Sequence, residues 1–348
     1  MYAKLSRYIF AVCLFLAFAL FACRGPSIDS SALAQKTIRV GYFPNITHSQ
    51  VILGLSRGDF QSALGKDVTI QATLFNAGPS IIEALFAGQI DLAYIGPNPA
   101  INGYVRSRGQ ALRIVAGATS GGAAFAIRSE AHIQTPADLD GKRLASPQLG
   151  NTQDVALRNY IISQGLKTRE QGGMVEIIPT ENPQILNLFL QGQIDGAWVP
   201  EPWASRLVVE GKGKFFLDER DLWPQGDFVT AHVIVRTPFL KQHADKVKAW
   251  LTAHVTVTQW EIEHPVAAQE LLNREIEKAV GKKLRSEVLA LAWSHLRPTW
   301  DPISASLVRA AEAAYHAGFL KEKPDLRGIY DLTLLNEILQ SKGQPVVH

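Results

Sequence analysis

Cysteine is almost absent from this chain of 348 residues, which contains only Cys13 and Cys23. Because none lies beyond residue 23, the folded part has no disulfide framework, cysteine zinc site, iron–sulfur site or catalytic thiol. An excess of one charge is also missing, since 35 Lys and Arg face 32 Asp and Glu. Lys4 and Arg7 belong to the leader described below, so the remainder is nearly neutral. The charge therefore gives no reason to expect nucleic-acid binding.

The motifs of common enzymes are missing as well. The sequence contains no H-E-x-x-H, no G-x-S-x-G and no P-loop. Its nine histidines are scattered, without the spacing of a metal site. The sequence therefore predicts a protein without a metal, without a cofactor and without catalytic residues.

Residues 1–22 have the features of an export signal. Lys4 and Arg7 form a short positive start, and an apolar run follows from residue 8 to residue 22. This run is too short for a stable transmembrane helix. We therefore predict export to the periplasm or to the outer face of the cell membrane, with a retained anchor helix as an alternative.

The end of the apolar run resembles a bacterial lipobox. It reads Leu20-Phe21-Ala22-Cys23, which predicts that Cys23 becomes the lipidated first residue. Lipidation would be the only membrane attachment. Cleavage after Ala34 is the alternative, and it would give a soluble periplasmic protein. We interpret residues 23–37 as a tether, because the segment from residue 25 to residue 35 is rich in small and polar residues.

An internal repeat is the most informative feature of the sequence. Residues 78–91 read GPSIIEALFAGQID, and residues 182–195 read NPQILNLFLQGQID. At this offset of 104 residues, Tyr94 pairs with Trp198. The match predicts a duplicated βα unit, with a first copy at residues 38–105 and a second copy at residues 142–209.

Both copies follow the same order of elements. A strand is predicted at 38–43 and 143–146, a second strand near 68–75 and 175–178, and a third strand at 91–95 and 195–199. The helix before each third strand begins near Pro79 or Pro183 and ends at Gly88 or Gly192. Strands that alternate with helices predict an α/β fold with parallel sheets and helices on both faces.

Two similar units in one chain predict two lobes with a cleft between them. We assign residues 38–121 and 231–348 to a discontinuous lobe 1 and residues 122–230 to lobe 2. The predicted strands 112–119, 123–128 and 228–235 cross between the lobes and form the hinge. The chain after residue 237 is mostly helical by its periodicity, including a helix from Asp301 to Ala317, and is expected to cover lobe 1.

Ligands of open α/β sheets bind at the carboxyl ends of the strands, where helix N-termini offer backbone N–H groups. The candidate ligand-binding residues therefore follow the predicted strands: Asn45, Thr47, His48, Gly78, Ser80, Asn98, Ser120, Gly121, Asn151, Thr152, Trp198, Glu201, Trp203 and His232. They offer neutral donors beside aromatic rings and include no Lys or Arg. Such a set suits a small anion with an organic part better than a polyphosphate.

Several of these candidates also have a purely structural interpretation. The Asn and Thr residues are ordinary helix caps, and Ser80 is typical of a plain turn. Ser120 and Gly121 form either a nest of N–H donors at the hinge or a simple hairpin turn. Trp198 and His232 are equally typical of a buried core. Glu201 either complements a helix dipole or binds a ligand amine.

Six motifs together resemble the ABC-importer substrate-binding proteins for nitrate, sulfonate and taurine. They are the leader, Val40–Asn45, Ala77-Gly78-Pro79, Glu83-Ala84-Leu85, Gly88-Gln89-Ile90-Asp91 and Val199–Trp203. Residues 135–142 look like that family's entry to the second lobe. The resemblance covers about residues 38–320. It implies a two-lobed type II periplasmic-binding fold with hinge-crossing strands, a monomer that closes on its ligand, and docking to a permease driven by an ATPase.

The resemblance leaves the ligand open. The aromatic and uncharged loops look closest to the alkanesulfonate branch, and taurine ranks second because Glu201 is the only obvious carboxylate for its amine. Nitrate, bicarbonate, sulfate esters and thiamine precursors are further alternatives. The fold also resembles fungal thiamine-pyrimidine synthases, but their chemistry relies on a cysteine motif that this chain lacks. A ligand-dependent sensor is the last alternative.

Overall fold

The computed structural model describes residues 36–348, so the predicted export signal, Cys23 and most of the tether lie outside the described residues. The strands are β1 (Thr37–Tyr42), β2 (Thr69–Leu74), β3 (Leu92–Ile95), β4 (Leu112–Gly121), β5 (Ala123–Arg128), β6 (Arg143–Pro147), β7 (Glu176–Thr180), β8 (Gly196–Pro200), β9 (Gly213–Asp218), β10 (Val229–Arg236) and β11 (Leu296–Pro298).

The α-helices lie between and after these strands. They are α1 (Ser49–Arg57), α2 (Asp59–Leu64), α3 (Gly78–Phe86), α4 (Pro97–Arg106), α5 (Thr152–Ser163), α6 (Asn182–Leu190), α7 (Trp203–Val209), α8 (Thr237–Gln242), α9 (Ala244–Glu263), α10 (Pro265–Val280), α11 (Ser286–Ser294), α12 (Ser304–His316) and α13 (Thr333–Ser341). No helix of residues 36–348 combines the length and the apolar character needed to cross a membrane.

The strands form two sheets with related topologies. The first sheet has the order β11-β4-β10-β3-β1-β2, and the second sheet has the order β7-β6-β8-β5-β9. In each sheet the first strand of a copy lies between its second and third strands. An antiparallel strand then follows, which is β10 beside β3 and β5 beside β8. The structure thus repeats the same strand order in both copies, as the sequence repeat predicts.

The repeated Gly-Gln-Ile-Asp segment has the same structural role twice. Gly88 and Gly192 follow the ends of α3 and α6 with φ of 69° and 68°, which glycine adopts most easily. The next strand then begins beside an aspartate that accepts a backbone N–H across the sheet. Asp91 accepts from Arg39 at 3.1 Å, and Asp195 accepts from Arg143 at 2.8 Å. The repeat therefore encodes the turn from helix back into sheet.

Some predicted boundaries were wrong by a few residues. The third strands begin at Leu92 and Gly196, because the preceding aspartates accept hydrogen bonds at the strand entrance. The helix predicted from Asp301 begins at Ser304 instead. Asp301 Oδ1 accepts the Ile303 N–H at 2.8 Å, and Ile303 has a φ of 45°, so a turn precedes the helix.

Three of the C-terminal helices, α9, α10 and α13, cover one face of the first sheet, and α12 packs with α3 and α4 on the other face. Trp250 of α9 is fully buried and stacks on Phe60 of α2, with ring centroids 3.8 Å apart. Leu272 of α10 and Leu335 of α13 belong to the same apolar cluster as Val40 of β1. This burial fixes the first sheet from the side opposite α3 and α4. The exact boundaries of the two lobes stay a prediction.

Candidate ligand-binding site

A small polar pocket lies where loops from the two copies meet. Its volume is about 20 Å³. It includes five of the predicted site residues, and its full lining is Phe43, Asn45, Thr47, His48, Asn76, Gly96, Asn151, Thr152, Gln153, Asn182, Pro200 and Thr230. We call this volume the polar pocket. The loops at the strand ends therefore face one another across it.

Equivalent positions of the repeat form opposite walls of the polar pocket. At the offset of 104 residues, Thr47 corresponds to Asn151, His48 to Thr152, and Gly96 to Pro200. All six residues line the pocket. The site is therefore built by the duplication itself, with one wall from each copy.

His48 supplies a neutral hydrogen-bond donor to the first wall. Its Nδ1 accepts the backbone N–H of Phe43 at 3.1 Å, so the proton of the neutral ring resides on Nε2. Burial lowers the pKa of His48 to about 3, because the charged ring would lose its hydration. His48 is therefore a donor without a charge at physiological pH.

The second wall ends in the N-terminus of α5, a helix of 12 residues. Its first N–H groups have no partners within the helix, and the helix dipole favours negative charge there. The Asn151 side chain makes no capping hydrogen bond to α5. Thr152 Oγ1 and Asn182 Oδ1 are buried and have no hydrogen-bond partner within residues 36–348. Unsatisfied buried polar atoms of this kind favour a polar ligand.

The two walls pack against each other at glycines. A Cβ at Gly96 would overlap Thr152 Oγ1, and a Cβ at Gly78 would overlap Pro99 and come within 3.3 Å of Asn151 Oδ1. Hydrogen bonds add to this contact, because Trp203 Nε1 donates to Asn45 Oδ1 at 3.0 Å. Glycine at position 96 is therefore required for the observed approach of the two walls.

A larger cavity of about 280 Å³ adjoins the polar pocket, because Thr152 lines both. Two aromatic pairs form much of its wall. Tyr160 and Trp198 pack edge to face at 5.5 Å, and Trp223 stacks on Phe228 at 5.3 Å. The remaining lining residues are Pro97, Asn98, Val155, Ala156, Asn159, Ser163, Gln164, Glu219, Leu222, Val229, Ser306, Arg309, Ala310 and Ala313. We call this volume the aromatic cavity.

Two charged side chains line the aromatic cavity. Glu219 is buried, and its Oε2 accepts the Trp198 indole N–H at 2.7 Å. Burial raises the pKa of Glu219 to about 7. Arg309 is exposed, and its guanidinium lies 4.5 Å from the ring centre of Trp223 and donates to the Leu222 carbonyl. The buried end of the cavity is thus acidic, while its rim is basic.

Seven predicted candidates line one of these volumes: Asn45, Thr47, His48, Asn98, Asn151, Thr152 and Trp198. The others do not, within the described part of the chain. Ser80 is exposed, and Ser120 hydrogen-bonds Asp227. Gly78 and Trp203 form the contacts described above, and Glu201 and His232 are described below. Gly121 ends β4 with a φ of 71°, and its backbone N–H donates to the Phe228 carbonyl at 3.0 Å.

Glu201 and His232 show why proximity to a strand end does not suffice. The Glu201 carboxylate is buried and is already bonded to Ser205 and, at 2.7 Å, to His295 Nδ1. His232 is fully buried, and its Nε2 lies 3.1 Å from the Pro302 carbonyl oxygen. Burial also lowers the pKa of His232 to about 4. A ligand role for either residue stays a prediction that this arrangement does not favour.

Sequence reasoning missed five residues of the aromatic cavity: Tyr160, Glu219, Trp223, Phe228 and Arg309. They belong to helix faces and to the segment before β10, and not to loops that follow parallel strands. One signal was available, because Thr152, Ala156, Asn159 and Ser163 are small or polar residues at helical spacing on α5. Such a face predicts that α5 borders an opening.

Comparison with known proteins agrees with this geometry. Residues 31–274, more than half of the chain, match the model of the NMT1-like family, so the chain belongs to the NMT1-like family. The taurine-binding periplasmic protein of Escherichia coli (strain K12) is 28% identical over 61% of this chain and 63% of its own length. The putative aliphatic sulfonates-binding protein of Bacillus subtilis (strain 168) is 24% identical over 93% of this chain and 94% of its own length.

Solved structures share the fold. The alkanesulfonate-binding protein SsuA of Xanthomonas axonopodis pv. citri, bound to MOPS, has a TM-score of 0.71 at 20% identity over 85% of this chain and 98% of its own. The periplasmic nitrate-binding protein NrtA of Synechocystis PCC 6803 has a TM-score of 0.70 at 16% identity over 88% and 89% of the two chains. The predicted α/β periplasmic-binding-protein fold and the predicted family resemblance are therefore confirmed.

Proposed function

We propose that this chain is the extracytoplasmic receptor of an ABC importer and binds a small organic anion, an aliphatic sulfonate first of all. The main support for this proposal is the polar pocket between equivalent loops of the two copies, with the aromatic cavity beside it. The relatives named above are binding proteins and support a receptor in preference to an enzyme. The anionic head would bind in the polar pocket and the carbon chain in the aromatic cavity.

The donors of the polar pocket suit an anion of low charge. His48 Nε2–H, the Thr152 hydroxyl and the α5 N-terminus are neutral donors, and no Lys or Arg lines the pocket. Neutral donors can be arranged around a sulfonate without the charge needed for a polyphosphate. Hydrogen bonds worth about 0.5–1.5 kcal/mol each, with apolar burial, could supply the roughly −8 kcal/mol of micromolar binding.

Binding would require movement of the two walls. A volume of about 20 Å³ holds little more than one water-sized group, since a water needs about 10–15 Å³ on this measure. A sulfonate has three oxygens, so the walls must separate for it to enter. We place the hinge at β4, β5 and β10, where the chain passes between the sheets, with lobe 1 at 38–121 and 231–348 and lobe 2 at 122–230.

Titration calorimetry tests the receptor proposal. Folded, ligand-free protein is titrated with propanesulfonate, butanesulfonate, taurine, nitrate, bicarbonate and a thiamine precursor. We expect the alkanesulfonates to bind with micromolar affinity and Thr152→Val to weaken this binding about tenfold. Thr252→Val on the exposed face of α9 is the matched control. The proposal fails if no compound binds below about 1 mM.

Export and membrane attachment form a separate part of the proposal. We propose that the chain acts in the periplasm, anchored through Cys23, and passes its ligand as a monomer to a permease with its ATPase. Labelling with radioactive palmitate tests the anchor. Label that persists in Cys23→Ala would contradict it, and cleavage after Ala34 would then be the remaining route.

A further inference from the structure

Glu219 is a buried carboxyl group without a cationic partner in the described part of the chain. Its side-chain hydrogen bonds come from neutral indoles, those of Trp198, at 2.7 Å, and of Trp223. The adjacent Asp218 pairs with Arg220, whose Nη2 lies 2.6 Å from Asp218 Oδ2. A buried carboxylate is costly unless it is paired. A positive group that entered the aromatic cavity would therefore gain a preformed partner.

The walls around Glu219 also suit a cation. Tyr160, Trp198, Trp223 and Phe228 line the same cavity as Glu219. Aromatic faces attract alkylammonium groups through their quadrupoles, most strongly where water is excluded. The competing charge is Arg309, which is exposed at the rim and already stacked on Trp223. The buried end of the cavity thus combines an acid with aromatic surface.

We infer that the aromatic cavity binds a positively charged amine of the ligand and that Glu219 is the residue that selects it. This inference rests on the proposed function, because it assumes that the anionic head binds beside Thr152 in the polar pocket. The ligand is then a zwitterion, an aminoalkanesulfonate whose amine carries alkyl groups. Glu201, bonded to Ser205 and His295, is not available for this role.

The pKa of Glu219 agrees with a role in binding a cation. A value of about 7 means that the carboxyl group is easily ionised when a positive ligand arrives. The charged and titratable groups near it are Asp218, which is bonded to Arg220, together with Arg309 and the weakly acidic Tyr160. None of these would supply the positive charge that ionised Glu219 needs at the buried end.

Two ligands of the same shape show whether the charge of the amine, and not its size, determines the affinity. Trimethylammoniopropanesulfonate and trimethylsilylpropanesulfonate differ in the atom at the centre of the bulky end, and only the first is positively charged there. Calorimetry at pH 8, above the pKa of Glu219, measures both. We expect the ammonium compound to bind at least tenfold more tightly than the silyl compound.

Glu219→Gln should reduce this preference to less than threefold. Glu312→Gln, at a half-buried glutamate of α12 paired with Lys323, makes the same charge change outside the cavity and should keep the preference. Equal binding of the two compounds by the unmodified protein would overturn the inference, as would a tenfold preference that survives in Glu219→Gln.

The outcomes also separate the inference from the proposed function. Binding of the silyl compound alone would overturn the amine site and leave the sulfonate receptor standing. Failure of both compounds to bind below about 1 mM would overturn both. If Glu219→Gln does not fold, the unmodified protein is compared at pH 8 and pH 5.5. The preference should fall at least threefold at the lower pH, and an unchanged preference would contradict the inference.

Discussion

Tyr94 and Trp198 occupy equivalent positions in the two copies, but their surroundings differ. The Tyr94 hydroxyl is buried beneath α9 and lies 2.9 Å from His254 Nδ1. Trp198 is equally buried from solvent, yet it lines the aromatic cavity and donates to Glu219. The C-terminal helices therefore decide which copy keeps an opening beside its third strand. Duplication supplies the loops of the polar pocket, and the later helices make the rest of the site asymmetric.

Asp91 and Asp195 show the same asymmetry at the other end of the strand. Both accept the equivalent backbone N–H. Asp91 is almost fully buried and also forms ion pairs with Arg39 at 2.6 Å and Arg236 at 3.1 Å. Arg236 ends β10, and the equivalent strand of the second sheet, β5, ends at Arg128, which pairs with Glu130 at 3.6 Å. An identical sequence segment therefore carries more of the stability in the first copy.

The largest expected effect distinguishes these two aspartates. Asp91→Ala leaves two arginines without their buried partner, and we expect a loss of about 4 kcal/mol in the free energy of unfolding. Asp195→Ala loses mainly a backbone hydrogen bond and should cost about 1 kcal/mol. Urea unfolding of both variants measures the difference. Equal losses would contradict the asymmetry between the copies.

The second largest expected effect concerns Glu261, a carboxyl group that is buried like Glu219 but does not line the aromatic cavity. Both Glu261 oxygens are buried without a hydrogen-bond partner in residues 36–348, and burial raises its pKa to about 8. A raised carboxyl pKa destabilises the fold as the pH rises from the ordinary value near 4.5 towards 8. The free energy of unfolding of Glu261→Gln, relative to that of the unmodified protein, should therefore rise by about 3 kcal/mol between pH 5 and pH 7.5.

The comparison is made at equal pH, so that His48, His232 and His254 contribute alike to both proteins. Burial lowers the pKa values of these histidines, so the fold loses stability as the pH falls below their ordinary value of 6.5. This change has the opposite direction to that of Glu261. Urea midpoints at the two pH values give the result. A difference that stays constant with pH would show that Glu261 does not titrate in this range.

A third variant tests the contact between the copies. A Cβ at position 96 would overlap Thr152 Oγ1, so Gly96→Ala should hold the walls of the polar pocket apart. We expect a loss of about 2 kcal/mol in the free energy of unfolding, measured with urea. Adding Thr152→Ala removes that overlap and leaves a contact of 3.3 Å, so the double variant should be more stable than Gly96→Ala. A double variant that is less stable than Gly96→Ala would argue against the steric overlap.

The smallest expected effect concerns Tyr94 and Trp198, the aromatic residues at equivalent positions of the two copies. Trp198→Leu should weaken binding of butanesulfonate about tenfold, because it removes aromatic surface from the cavity. Tyr94→Phe should leave binding unchanged and cost about 1 kcal/mol of stability through its lost hydrogen bond. Calorimetry and urea unfolding of both variants give the two numbers. Weaker binding by Tyr94→Phe would mean that the two positions are not functionally distinct.

The sequence predicted most of what the repeat encodes. The succession of strands and helices along each copy, the helix ends at Gly88 and Gly192 and the loops with His48 and Thr152 follow from matched positions. It did not predict the aromatic cavity, because Glu219 and Arg309 have no repeat partner and approach from distant parts of the chain. Contacts between such segments depend on packing that no local pattern reveals.

Glu201 shows where the sequence leaves two interpretations open. Its position after a strand allows either a helix-dipole contact or a ligand contact, and in the structure Ser205 and His295 already bond to its oxygens. His295 lies 94 residues away along the chain. The partners of such a carboxylate in three dimensions, which its place in the sequence does not reveal, distinguish a structural role from a ligand contact.

A crystal structure with trimethylammoniopropanesulfonate bound tests the central claim most directly. The account predicts that the sulfonate oxygens lie within about 3 Å of both His48 Nε2 and the Thr152 hydroxyl, one donor from each copy. A sulfonate that contacts residues of one copy alone, or that lies outside the polar pocket, would contradict the claim that the two copies bind one anion between them.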